Sequence, residues 1–109
     1  FILDRSIFEK KLVEAEKSMN VDENASILKY TNIALADTIS NANMIAIFFL
    51  ANYYDFNRSN PDSALKYYSM TQNSYPKTKQ AEFSKLRISN INSFLSDSLS
   101  INMYNIIEN

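Results

Sequence analysis

Apolar residues recur along this chain at helical spacing. Between Arg5 and Met19 they fall at Ile7, Phe8, Leu12, Ala15 and Met19, in steps of one, four, three and four. A period near 3.6 keeps such positions on one face. Asp4 is placed to cap this segment, and Asn20-Val21-Asp22 reads as the turn after it. A second stripe runs from Glu23 to Ala36 with Asp22 as its cap. Ala25, Leu28, Ile33 and Ala36 form its inner side, and Ile27, Tyr30 and Ala34 adjoin. Asp37 to Asn41 is the next break.

The third segment, Ala42 to Phe56, is apolar nearly all round, as in a helix packed on more than one side. A buried strand is the rival reading, and the length of the run decides for helix. Asn57 to Asp62 is the clearest loop. Asn60 is a natural N-cap with Pro61 at the first helical position, where its missing N–H costs nothing. The fourth segment continues to Ser74 with Ala64, Tyr67, Tyr68 and Thr71 inward, and Tyr75-Pro76 ends it. The fifth runs from Thr78 to Leu95. Ser96-Asp97-Ser98 reads as a break before a sixth, Leu99 to Glu108.

The pattern predicts an all-α fold in one domain of 109 residues: five or six helices paired as antiparallel hairpins over about 5–36, 42–75 and 78–108.

Composition removes function classes from this picture. The chain has no Gly, no Cys and no His. Phosphate-cradling loops and dinucleotide fingerprints need Gly. Common zinc and iron sites need Cys or His, and His is the usual general base near neutral pH. We therefore expect no catalytic residues, no cofactor and no metal. A net charge of −1 leaves no basic excess for phosphates, so no nucleic-acid partner is expected. The longest apolar run, Met44 to Ala51, is too short to span a bilayer. The chain opens on Phe1, as a fragment of a longer protein would, and no signal-peptide pattern is visible. Without Gly, Asn is the next best residue for turns and helix ends, and Asn is abundant.

Sliding the sequence over itself by 39 positions pairs Ala25 with Ala64, Leu28 with Tyr67, Phe8 with Ile47, Leu12 with Ala51 and Ile47 with Leu86. Within Met44 to Pro76 the residues Ile47, Leu50-Ala51 and Tyr54 are followed by Ala64, Tyr68, Thr71 and Pro76. This order of large, small and aromatic positions resembles the tetratricopeptide repeat. Two departures stand out: the inter-helix turn holds one residue more than the 34-residue consensus, and its usual Gly is absent. The flanking units match more weakly. The phrase from Tyr75 to Ala81, Tyr-Pro-Lys-Thr-Lys-Gln-Ala, is similar to repeats of bacterial envelope proteins such as the outer-membrane β-barrel assembly lipoprotein. That likeness covers seven residues and implies a periplasmic or outer-membrane-associated setting.

The resemblance implies hairpins stacked as a short right-handed superhelix, whose first helices line a groove for a partner protein or peptide. Groove positions would be Ile45, Phe48, Asn52, Asp55 and Phe56, then Ser84, Arg87, Ile91 and Phe94 in the next unit. Asn52 stands in an apolar run, where it would bond either a partner's backbone or a local carbonyl. Phe48, Phe49, Tyr53, Tyr54 and Phe56 would serve as core or as an exposed patch. Lys77, Lys79, Lys85 and Arg87 form a basic cluster, either a solvated face or a seat for an acidic partner. The expected function is a protein-interaction scaffold; the alternative is a structural bundle or oligomerisation domain, with a homo-oligomer as its partner state.

Overall fold

A computed structural model of the chain describes the backbone of residues 2–108 and the side chains of 7–97. The described residues form five α-helices: α1 Ile2–Ser18, α2 Glu23–Ala34, α3 Asn41–Asn52, α4 Pro61–Ser74 and α5 Lys79–Glu108. A π-helical turn, Tyr53–Asn57, extends α3. The fold is all-helical, with no strand among the described residues. α1 and α2 form one antiparallel hairpin, α3 and α4 a second, and α5 packs along α4.

Polar side chains set the helix starts. Asp22, Ser40 and Asn60 accept the N–H of Ala25, Asn43 and Ser63 at 3.1, 3.0 and 3.2 Å. Thr78 does the same for Ala81 at 3.1 Å. Each contact satisfies an N–H that the first turn leaves without a partner. At the end of α4, Pro76 drives Tyr75 to φ −133°, ψ 55°.

The turn into α4 carries the one positive φ among the described residues, Ser59 at 48°. The helix closes there with the Asn60 N–H turned back onto the Tyr54 carbonyl at 2.8 Å. Left-handed backbone costs a residue with a Cβ about 1–2 kcal/mol, and Gly gives back part of that gain as unfolded-state entropy. Ser59→Gly should therefore raise stability by about 0.5–1 kcal/mol in a urea titration, and Ser59→Val should lower it.

Small residues let the helices approach. Ala15, Ala46, Ala51 and Ala64 have no exposed surface. Ser26, also fully buried, donates to the Ala15 carbonyl at 2.6 Å and joins α1 to α2. Around these contacts pack Leu12, Tyr30, Ile33, Ile47, Leu50, Tyr67 and Tyr68. Ala64→Leu should overpack the second hairpin and lower stability by about 1–3 kcal/mol, read from the thermal midpoint.

Three expectations are corrected. The break at Ser96-Asp97-Ser98 does not occur, so 78–108 holds one 30-residue helix and not a pair. Ser and Asp each cost a helix interior only a few tenths of a kcal/mol, and neither Pro nor Gly is present to stop it. α1 is already helical at Ile2, which puts Asp4 inside the helix and not at its cap. The helix caps recur at 38 positions, where the sequence aligns on itself at 39: Asp22 and Asn60 stand 38 apart, as do Ser40 and Thr78. Leu12 and Leu50, Ser26 and Ala64, and Tyr30 and Tyr68 are buried in the same register. Leu28, expected inside from its apolar spacing, is 62% exposed, while Ser26 and Tyr30 face in.

Candidate functional site

The seam between α3 and α5 gathers most of the predicted site residues. The rings of Phe48 and Phe83 meet edge to face at 5.7 Å. Further along both helices Asp55 pairs with Arg87, so α3 and α5 run parallel. The π-helical turn brings Asp55 to that pairing. Its wider winding shows in the Arg58 N–H bonding the Tyr53 carbonyl five residues back at 3.1 Å, and such turns often sit at functional sites.

Asp55 receives three hydrogen bonds. Arg87 donates through Nε at 2.8 Å and Nη2 at 3.0 Å, and the Tyr68 hydroxyl donates at 2.8 Å. The Asp55 side chain is 9% exposed and that of Arg87 25%. The Arg87 guanidinium also lies 5.1 Å from the Phe56 ring centre, within cation–π range. Burial, and then donation to Asp55, pushes the Tyr68 phenol above its ordinary value. The hydrogen bond to Asp55 likewise holds the Arg87 proton more tightly.

Burial raises Tyr30, Tyr53 and Tyr67 as well. In the unfolded chain these phenols ionise near pH 10, before they do so in the fold. Above that pH unfolding releases protons and stability falls as pH rises; below it both states keep their protons and this contribution is constant. Urea midpoints should therefore decline from about pH 10 upward, and Tyr68→Phe should make the decline shallower. A midpoint unchanged into stronger alkali would contradict the buried-phenol account.

Hollows flank the seam. One of about 330 Å³ is lined by Phe48, Asn52, Lys79, Gln80 and Phe83. Another of about 330 Å³ is lined by Asp55, Ser59, Pro61, Arg87, Asn90, Ile91 and Phe94. A third, about 260 Å³, lies beside α1 and is lined by Met19, Phe49, Asn52, Tyr53, Phe56 and Asn57. Asn52 thus stands on the ridge between the first and the third. A hollow of about 390 Å³ lies away from this seam and includes Glu9, Ile39, Met44, Tyr75 and Thr78. The Tyr75 hydroxyl there is already bonded to Ser40 and Asn43.

Phe48, Asn52, Asp55, Phe56, Arg87 and Phe94 all come to this face. Ile45 is half-buried against the core and lines none of these hollows. Ser84 is fully buried, and Ile91, 6% exposed, belongs to the core and offers only an edge to the second hollow. Asn52 uses one amide N–H on the Phe48 carbonyl at 2.8 Å, the local alternative. Of the basic cluster, Arg87 is drawn into the pair with Asp55, Lys79 stands at a hollow's rim, and Lys77 and Lys85 are exposed.

Sequence reasoning missed Phe83 and Asn90. The 39-residue register carried Ile45, Phe48 and Asn52 onto Ser84, Arg87 and Ile91, one position too far. The cap spacing was the signal that corrects it.

Among the described residues no group of His, Cys, Asp or Glu could hold a metal ion, and no helix is long and apolar enough to cross a membrane. No protein-family model, curated protein or solved structure matches the chain.

Proposed function

We propose that this chain is a tetratricopeptide-type interaction module that binds a segment of a partner protein on the face formed by α1, α3 and α5. The observation that carries the reading is the α3–α5 seam: two parallel helices, open hollows on both sides of Asn52, and aromatic side chains partly in solvent. The departures from the consensus have physical counterparts. The extra residue before α4 coincides with the π-helical turn, and Ser59 takes the left-handed backbone that the consensus Gly would supply. The 38-residue period is longer than the 34-residue consensus. The junction that resembles envelope repeats has a clear job: Tyr75 anchors to the start of α3, Pro76 stops α4 and Thr78 caps α5. A bacterial envelope setting is part of the same reading.

The rival, a domain that packs against a copy of itself or a larger structure, draws on one feature. Val21, Leu28 and Leu35, which stand before, within and just after α2, are exposed apolar residues. A random peptide display selected on the whole chain, followed by amide chemical-shift mapping, separates the two. Shifts gathered at Phe48, Asn52, Phe83 and Asn90 are the expected result. Peptides that map to α2, or a dimer closed through α2 with no peptide selected, would favour the rival.

A further inference from the structure

The 38-position spacing of the caps also relates the sequence of α3 and its π-helical extension to that of α5. Counted from α3 to α5, Ile45, Phe48, Asn52 and Phe56 return as Phe83, Leu86, Asn90 and Phe94. Each row reads large apolar, large apolar, asparagine, phenylalanine. Phe94, in the second hollow, is 69% exposed and Leu86, which lines neither hollow, 58%, so core packing does not account for these two.

Charge in the two hollows along α5 is one-sided. Lys79 stands at the rim of the Phe48–Phe83 hollow, and Arg87 lines the hollow beside Asn90 and Phe94. The one carboxylate lining either hollow is Asp55, and its oxygens already accept from Arg87 and Tyr68. Arg87 commits two of its five N–H donors to that pairing, which leaves the rest for a ligand. Lys79 is the first residue of α5, where the helix dipole disfavours a cation, and among the described residues it has no ion-pair partner. Each hollow therefore combines an aromatic wall, a carboxamide and a cationic donor, without a free acid.

From this we infer the chemistry of the occupant: a peptide segment in which apolar side chains alternate with Asp or Glu. Its apolar groups enter the two hollows and its carboxylates meet Lys79 and Arg87. The inference rests on the peptide-binding reading of this face and adds the ligand's charge and pattern to it.

The test titrates the labelled full chain with three capped synthetic peptides. The first alternates Glu with Leu and Phe. The second carries Gln for every Glu, and the third carries Ser for every Leu and Phe. The Glu peptide should shift the amides around Phe48, Asn52, Phe83 and Asn90 and bind at least about fivefold tighter than the Gln peptide. That advantage should shrink in high salt. Lys79→Gln should remove much of it without lowering the thermal midpoint. The Ser peptide should not bind. Equal binding of the Glu and Gln peptides at this face would overturn the acidic ligand and leave the groove reading in place. No shift with the Glu peptide up to about 1 mM would also overturn the inference. Displayed peptides that map elsewhere would overturn the groove reading with it.

Discussion

Replacing Arg87 by methionine is expected to cost this chain about 2–4 kcal/mol of stability. Methionine keeps most of the stem volume and removes the guanidinium. Asp55, 9% exposed, is then left with only the Tyr68 hydroxyl as donor. A carboxylate held away from water without its bidentate partner is the costly outcome, more than the loss of the attraction itself. For a domain of this size the thermal midpoint should fall by more than about 8 °C. Asp55→Asn should cost less, because a carboxamide oxygen still accepts from Tyr68 and from one Arg87 N–H. Tyr68→Phe should cost about 1 kcal/mol, the worth of one hydrogen bond. Asp55→Leu combined with Arg87→Met should recover part of the loss, since an apolar pair leaves no unpaired charge. If Arg87→Met costs under about 0.5 kcal/mol, the seam is held by Phe48 and Phe83 and the ion pair is incidental. The pair also matters for the proposed groove. It ties α5 to the end of α3 directly, not by way of α4, and so fixes how far apart those two helices stand.

Much of this fold was legible because its signals are local. Caps need only a polar side chain at the right offset, and Asp22 and Asn60 sit where the sequence put them. Pro76 stops α4 by a steric clash that no tertiary contact can relieve. The errors arose where a residue's role depends on its neighbours in space. Ser96-Asp97-Ser98 has the composition of a turn, yet nothing in it forbids a helix once the preceding turns are helical. Leu28 matched an apolar template, whereas Ser26 takes the inside place because its hydroxyl can reach the Ala15 carbonyl. The α3–α5 face was half legible. Phe48, Asn52 and Arg87 were picked out, but a register slip of one residue hid Phe83 and Asn90 and offered Ser84 and Ile91 in their stead. The π-helical turn left no mark beyond one surplus residue before α4, so the pairing of Asp55 with Arg87 could not be read in advance.

The second large effect belongs to a residue outside the proposed groove. Asn43→Leu is expected to lower stability by about 2–3 kcal/mol, although the two side chains are close in size. Asn43 is 4% exposed and donates through Nδ2 to the carbonyls of Ile33 at 2.8 Å and Ala34 at 3.2 Å. Its oxygen accepts the Tyr75 hydroxyl proton. One amide thus joins the end of α2, the start of α3 and the end of α4. Leucine would leave the buried Ala34 carbonyl without its side-chain donor and the Ile33 carbonyl with only the Ala36 N–H at 3.3 Å, while the Tyr75 hydroxyl would fall back on the Ser40 carbonyl at 3.1 Å. Tyr75→Phe alone should cost about 1–2 kcal/mol, since Asn43 keeps both bonds to α2 and the loss falls on its oxygen and on the Ser40 N–H. Because the same bond is lost in both variants, the double substitution should cost less than the two single losses combined. Additivity within about 0.5 kcal/mol would show that the Tyr75 contact carries no energy. The reason one asparagine bears so much lies in the composition. Many helices end on a left-handed residue, usually Gly, that lets the following N–H groups satisfy their last carbonyls. This chain has no Gly, α2 ends on Leu35 at φ −91°, ψ 0°, and a side chain from the next helix supplies the donors that a glycine turn would have supplied.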